Sequence, residues 1–265
     1  MQFEAYKDRF RNIALSRDDS RVLRMRVHTD GASLQWGVDV DCIHGQLGDA
    51  FYAIGRDPDT RVVIMEGTGE DYCFSRNMTE FKDVESDEAA YRLIREGRDI
   101  LTNQMEIEVP VISLVRGRAL IHPEIPLMAD IVLATPDAKF RDSHVASNLV
   151  PGDGAQIFWT SVLGPTRASY FFMTEQMLTA EDGLRLGFVH EVLPPEALEA
   201  RALEIATNLA GKSQFALRYT RMVVHQNWRN RFATESSFGF VSEMLSMKSK
   251  GGQHNFDPNR LLGKK

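Results

Sequence analysis

Three short runs of almost unbroken apolar, β-branched character set the first limit on how this chain can fold. They are Arg61–Glu66 (RVVIME), Val109–Val115 (VPVISLV) and Ile131–Ala134 (IVLA). Runs that are apolar at nearly every position, rather than at every second one, suit strands covered on both faces, as in a parallel sheet. The segments between them carry a helical period. From Asp39 to Gly55 apolar residues fall at Val40, Ile43, Leu47, Phe51 and Ile54, and Asp57-Pro58-Asp59 breaks the run. Glu88 to Glu106 repeats the pattern with Tyr91, Ile94, Ile100, Leu101 and Met105. Arg21–His28 alternates and is expected to be a strand. Strand, helix, strand, helix, strand implies parallel pairing through crossover helices, and so an α/β fold.

Beyond Pro151 helical spacing dominates: Ala155–Leu163, Thr166–Gln176, Ala180–Leu186, Glu196–Ala210, Phe215–Trp228 and Phe232–Lys248, with only Glu191–Leu193 strand-like. No internal repeat or low-complexity segment interrupts the 265 residues. The expected division is a core over 1–195 and a helical region over 196–265. The last stretch, Lys248–Lys265, is rich in glycine and charge and is expected to be loosely held.

Composition narrows function by exclusion. Lys plus Arg number 31 against 37 for Asp plus Glu, so a net charge of −6 lacks the positive footprint of a nucleic-acid or anionic-membrane binder. The longest apolar runs are too short to span a bilayer. Met1–Arg11 mixes both charges without an apolar stretch, so no secretory signal is expected. Two cysteines, Cys42 and Cys73, make neither a disulfide framework nor a four-cysteine zinc site, and a reduced, cytoplasmic protein is expected. Gly67-Thr68-Gly69 follows a strand, but Tyr72 stands where a dinucleotide loop needs its third glycine. There is no GxxxxGK[ST] loop, no GxSxG and no HExxH, and the seven histidines are never three or four apart. No cofactor or metal is expected. The chemistry must come from side chains and backbone dipoles.

Four stretches carry a resemblance. They are RVVIMEGTG leading into YCFSRNM, VPVISLVRGRAL, EIPLMADIVLA and FRDSHVASNLVPGDG, followed by MLTAEDGLRLGFVHEVLP. Over roughly residues 20–235 the chain resembles the crotonase (enoyl-CoA hydratase/isomerase) superfamily. That resemblance implies a spiral of ββα units with C-terminal helices that build a homotrimer, commonly paired into a hexamer. Against the hydratase pattern, the glycine-rich oxyanion run after Leu120 has become Ile121-His122-Pro123. The other oxyanion loop, usually small, is Phe74-Ser75-Arg76-Asn77, bulkier where the CoA moiety lies. The first hydratase glutamate matches Glu124, but the second falls on His144, and Asp153 stands where a small residue is common.

These departures resemble the β-diketone hydrolase branch, typified by 6-oxocamphor hydrolase, which cleaves a carbon–carbon bond in a non-thioester 1,3-diketone. HTDGASLQW, IEVPVI, PEIPLMADIVLA and LVPGDGA all have counterparts there. By that resemblance the functional positions are Trp36, His44, His122, His144, Asp153 and Glu243, with a small diketone as the partner molecule. His144 paired with Asp153 is expected to activate water, the aspartate fixing the imidazole tautomer. His122 stands where a backbone donor was lost, so its N–H, with the Trp36 indole, is expected to bind the carbonyl oxygen. His44 and Glu243 are expected at the second carbonyl or on the proton's path to carbon. Each has a plainer reading: His44 as a hydrogen-bonded core residue, Glu124 as a carboxylate at a helix N-terminus, and Asp153 as the cap of the helix starting near Ala155. His28, His190 and His225 are taken as structural. Hydration of an acyl-CoA thioester is the alternative activity.

Overall fold

Strands that are apolar on both sides need a layer on each, and the computed structural model supplies them. It describes residues 1–81, 84 and 86–249. Eleven strands and nine α-helices follow in chain order among those residues. They are β1 (Ile13–Arg17), β2 (Val22–Val27), β3 (Leu34–Trp36), α1 (Ile43–Gly55), β4 (Val62–Gly67), β5 (Cys73–Arg76), α2 (Asp87–Glu106), β6 (Val111–Val115) and β7 (Arg118–Ala119). Next come α3 (Glu124–Leu127), β8 (Ile131–Ala134), β9 (Lys139–Phe140), α4 (Ala155–Leu163), α5 (Pro165–Met173), β10 (Leu178–Thr179) and α6 (Ala180–Leu186). The last are β11 (Glu191–Val192), α7 (Pro195–Ala210), α8 (Gln214–Val224) and α9 (Gln226–Lys248).

The strands form two sheets, and the chain alternates between them. One runs β1-β2-β4-β6-β8-β11 and the other β10-β9-β7-β5-β3. From β2 to β9 each pass lays one strand in the first sheet and the next in the second, and the second and third passes begin after α1 and α2. This is the ββα spiral. In the first sheet β2, β4, β6, β8 and β11 all pair in parallel, as the apolar runs require. The outer side of β4, β6 and β8 (Val62, Ile64, Ile112, Leu114 and Leu133) is covered by Leu198, Ala202 and Ala206 of α7. The opposite side joins the main core with α1, α2 and α4.

Several boundaries differ from the sequence reading. Helix α1 begins at Ile43 instead of Asp39, because Asp41 adopts a positive φ of 62° that breaks the helix before Cys42. Val40 consequently lies outside the buried face and is exposed. Tyr91, expected on the apolar side of α2, also faces solvent, and the buried side runs through Ala89, Leu93, Gly97, Ile100, Leu101 and Met105. The expected helices from Phe215 and Phe232 become α8 and α9, which part at His225. Cys42 and Cys73 are buried and free. No helix among the described residues is long and apolar enough to cross a membrane. The expectation of a loosely held tail falls, past Ser249, outside the described residues.

One contact brings the C-terminal helix to the centre of the molecule. A Cβ added to Gly239 on α9 would lie 2.2 Å from the Gly152 carbonyl oxygen, and one on Gly152 would lie 2.0 Å from the Gly239 oxygen. Backbone therefore meets backbone with no room for a methyl group. Alanine in a helix interior is normally favoured over glycine by about 1 kcal/mol. Here the overlap outweighs that preference, and Gly239→Ala is expected to lower the unfolding free energy by about 1–3 kcal/mol, the usual cost of overpacking. Gly211→Ala, whose new Cβ would meet only ordinary contacts at 3.6 Å or more, is the control. Chemical denaturation of both variants tests this, and equal midpoints would remove the close contact as a determinant of stability.

Candidate active site

The Gly152–Gly239 contact places the turn carrying Asp153 against the helix carrying Glu243. On the other side of that turn, a Cβ at Gly154 would come within 2.6 Å of Leu101 on α2, and Gly154 itself has φ +113°. The turn is pinned between two helices, and its aspartate points where two histidines converge. Asp153 Oδ2 lies 3.3 Å from His144 Nε2 and 3.3 Å from His122 Nδ1. The two imidazole rings stand edge to face with centroids 5.7 Å apart.

Each histidine has a second carboxylate. His144 Nδ1 is 3.0 Å from Asp142 Oδ2, whose Oδ1 also accepts the His144 backbone N–H at 2.9 Å. His122 Nδ1 is 2.8 Å from Glu124 Oε1. Glu243 Oε1 completes the group, 3.6 Å from His144 Nε2. His122 occupies the turn between β7 and α3 with φ +47°, a conformation a non-glycine residue adopts only when its surroundings hold it there. The ring of Trp36, at the end of β3, lies against His122 with centroids 4.1 Å apart. His44 meets Trp36 edge to face at 5.9 Å, and its Nδ1 is 2.9 Å from Glu96 Oε2. All six residues singled out in the sequence border one cavity of about 460 Å³. Much of the remaining wall is apolar, with Val38, Phe81, Leu93, Ile94, Phe240, Met244 and Met247.

Two roles shift. The aspartate that fixes the His144 ring from behind is Asp142, while Asp153 takes the opposite nitrogen and is shared with His122. Nor does Asp153 cap α4, which starts with no side-chain cap bond; its Oδ1 is buried without a hydrogen-bond partner among the described residues. Glu124 does open α3, but it is fully buried and engaged by His122. Asp142 is not among the residues the resemblance points to, yet it stands two residues from His144, a spacing that lets one carboxylate grip both ring and backbone. Glu96 is 52 residues from His44 and leaves no local signal. His28, His190 and His225 have structural contacts: with the Gly31 N–H, the Val132 N–H and Asp130 respectively.

Burial and charge act against each other throughout. Burial disfavours the protonated form of His144, yet Asp153 and Asp142 outweigh it and hold its pKa well above the usual histidine value. His122 is balanced likewise: burial lowers it, Asp153 and Glu124 raise it, and the net shift is upward. Burial would raise Asp153, but His144 and His122 hold it below the usual carboxylate range. Glu124 is lifted by burial despite His122, and Glu243 by burial together with the charge of Asp153. Pairs of groups driven apart in this way are the mark of acid–base machinery. Two sets, His122 with Glu124 and Asp153, and His144 with Asp153 and Glu243, have ligand atoms within 4.8 Å of one another. They are close enough to receive a divalent cation, which would have to displace the protons these groups share.

Comparison with known proteins now has a site to refer to. Residues 40–253 match the sequence model of the enoyl-CoA hydratase/isomerase family. The chain belongs to that family. Among its members a crotonyl-CoA hydratase from Syntrophomonas wolfei is 27 % identical over 189 residues, covering 68 % of this chain and 70 % of that one. Among solved structures, a β-diketone hydrolase from the cyanobacterium Anabaena, bound to (S)-3-oxocyclohexyl acetic acid, superposes with a TM-score of 0.86 at 36 % identity. That match covers 95 % of this chain and 96 % of the other. An enoyl-CoA hydratase/isomerase from Mycobacterium paratuberculosis has a TM-score of 0.84 at 20 % identity over 96 % of this chain and 99 % of its own, which speaks to the fold alone.

The two aspartates should be separable by titration. Asp142→Asn is expected to move the His144 pKa down with little effect on His122, and Asp153→Asn to move both down, read from imidazole ¹⁵N shifts. The sign extends to stability. Because the folded value of His144 is raised, its ion pairs contribute fully below the unfolded histidine pKa of about 6.5 and fade as pH rises through the folded value. A His144 that titrates near 6.5 in the native protein, unmoved by either substitution, would contradict the assigned contacts.

Proposed function

We propose that this protein hydrolyses a carbon–carbon bond in a non-thioester 1,3-diketone, cyclic or otherwise hindered, by a cofactor-independent retro-Claisen route that yields a keto acid. The observation that carries this reading is the buried pair of imidazoles sharing Asp153 at one cavity, His144 at the position matched to the second hydratase glutamate and His122 in the run matched to the oxyanion glycines. The 36 % identity to a β-diketone hydrolase over almost the whole chain supports it.

The reaction needs water made nucleophilic, a stabilised oxyanion and a proton for the departing carbon. His144 and Asp153, in contact, serve as one base: a proton taken from water resides on the pair, and Asp142 stabilises the imidazolium from behind. His122, its Nδ1 held by Glu124, offers its remaining N–H with the Trp36 indole to the attacked carbonyl oxygen; such a donor is worth about 2.7–4 kcal/mol in the transition state. The carbon–carbon bond breaks to an enolate held by the cavity. Glu243, whose pKa is raised toward the protonated form, delivers the proton to carbon. His44 borders the second carbonyl. The partner is thus a small neutral diketone. A homotrimer, or a hexamer of paired trimers, is the proposed assembly.

A second reading, hydration of an acyl-CoA, is favoured by the retained Glu124 and by sequence relatives that include the crotonyl-CoA hydratase. Assays in ¹⁸O-water distinguish the two, with cyclic 1,3-diketones beside crotonyl-CoA and no added cofactor. Label in a ring-opened keto acid is expected; hydration of crotonyl-CoA alone would overturn the proposal. His144→Ala is expected to reduce diketone turnover by about 10²–10⁴-fold, the usual contribution of a general base. Since the base must be unprotonated, the acid limb of kcat/KM is expected above pH 6.5, and Asp153→Asn should move it to lower pH. A limb below the ordinary histidine range in the unsubstituted enzyme would exclude His144 as base.

A further inference from the structure

His144 offers its two ring nitrogens to different surroundings. Nδ1 faces Asp142 at 3.0 Å, and since an ionised carboxylate only accepts, that nitrogen carries a proton. Nε2 faces Asp153 Oδ2 at 3.3 Å and Glu243 Oε1 at 3.6 Å, both longer than the ~2.7–2.9 Å of a charge-assisted N–H···O bond. Ligands bound to one tetrahedral zinc ion stand about 3.3–3.6 Å apart. The two separations fit the edges of such a site, and the ligand atoms of all three residues lie within 4.8 Å of one another. We propose that His144 Nε2, Asp153 and Glu243 bind a divalent cation of the zinc type, with a fourth position open to the cavity, and that the bound ion blocks His144 as a base. Binding stands apart from the retro-Claisen reading, and the block rests on it.

The surroundings favour this set over the one built on His122. There, His122 and Glu124 are 2.8 Å apart, the length of an ordinary hydrogen bond and too short for two ligands of one zinc ion. Behind His144, Asp142 supplies what a metal-bound imidazole ordinarily has, a carboxylate on its other nitrogen that fixes tautomer and ring orientation. The same carboxylate accepts the His144 backbone N–H, so ring and chain are held together. Glu243 lies one helical turn beyond Gly239, which presses on the 152–154 turn that carries Asp153, so two of the ligands share one rigid contact. Ligands fixed in place before the ion arrives are the condition for a precise site. Charge points the same way. Arg76 answers part of the charge of Glu243, Asp142 and Asp153, yet with Glu124 four carboxylates meet there. Two of their oxygens, Asp153 Oδ1 and Glu124 Oε2, are buried without a hydrogen-bond partner among the described residues. His144, Asp153 and Glu243 all line the cavity, which gives an ion its path and the fourth position its opening. The three ligands come from separate elements, so no sequence motif announces them.

Zinc and cobalt(II) are the probes, titrated into the full-length protein against a chromogenic chelator. One equivalent of zinc per chain is expected, and cobalt(II) should show the strong visible bands of a four-coordinate ion without a thiolate charge-transfer band. His144→Gln, Asp153→Asn and Glu243→Gln should each lose the equivalent. Asp142→Asn, which keeps all three ligands, should weaken binding by about 10–100-fold, the usual effect of removing the carboxylate behind a metal-bound histidine. His28→Gln, outside the cavity lining, should keep it. Failure of the wild type to hold one equivalent overturns the proposal without any variant, so a misfolded substitution does not protect it. Weak binding at several places, indifferent to the three substitutions in folded protein, would mean an adventitious ion only and overturns it. A thiolate band also overturns it, since the metal would then sit on Cys42 or Cys73. Saturating zinc should reduce diketone turnover by about 10²-fold or more, the contribution of the base it occupies, and a chelator should restore it; unchanged turnover overturns the proposal. A zinc equivalent that depends on these residues in a protein that cleaves no diketone would uphold the site and sink the reaction. Diketone cleavage by a protein that holds no zinc would do the reverse.

Discussion

Asp153 lies between two buried imidazoles that would repel each other if both were protonated without it, and the surrounding architecture holds it there. One oxygen of the aspartate stands 3.3 Å from a ring nitrogen of each histidine, so a change of charge on one ring is felt at the other through it. Holding such a group requires a stiff support, because any displacement from the equal 3.3 Å distances would favour one ring over the other. The 152–154 turn is that support. Its glycines let α9 and α2 press directly on the backbone from either side, and α9 brings Glu243 to the same place. The left-handed turn at His122 and the double grip of Asp142 on His144 complete the fixation from the β-sheet side. The coupling is electrostatic, but its precision comes from packing.

The family fold accommodates this arrangement with few changes. By the resemblance drawn from the sequence, Glu124 takes the position of a hydratase glutamate, and here it is engaged by an imidazole. On the same correspondence His144 takes the place of the other glutamate, exchanging one titratable group for another of different charge, with Asp153 beside it as counter-ion. A protein can thus keep its sheets, its helices and one carboxylate while the proton inventory of its pocket is rewritten, which is why overall likeness to hydratases says little about which bond is attacked.

How much of this was legible in the chain depended on the range of the interaction. The central strands β4, β6 and β8 announce themselves because both of their faces are buried, whereas β1, half exposed at the sheet edge, carries no such run and is not among the strands read from the sequence. The second sheet does not: β7, β9 and β10 are two residues each, too short for any periodicity, and they exist because neighbouring passes of the spiral place backbones side by side. The start of α1 differs from its spacing because Val40 continues the apolar pattern while Asp41 lies outside helical geometry. The site residues came from resemblance, and their convergence came from topology. Asp142 was within reach of local reasoning, whereas Glu96 becomes the partner of His44 only once α1 and α2 are packed together.

Helix α9 carries two kinds of information on adjoining faces. Gly239 and Glu243 face the 152–154 turn and answer to the backbone there, whereas Phe240, Met244 and Met247 contribute the apolar wall of the cavity. The wall residues are flexible or aromatic side chains whose exchange leaves the backbone contact untouched. In the proposed reaction, shape selectivity and proton transfer are therefore written on one rigid rod yet remain separately editable. A lineage, or a designer, can reshape the wall for a bulkier ligand while the carboxylate on the adjoining face stays in register with the histidines.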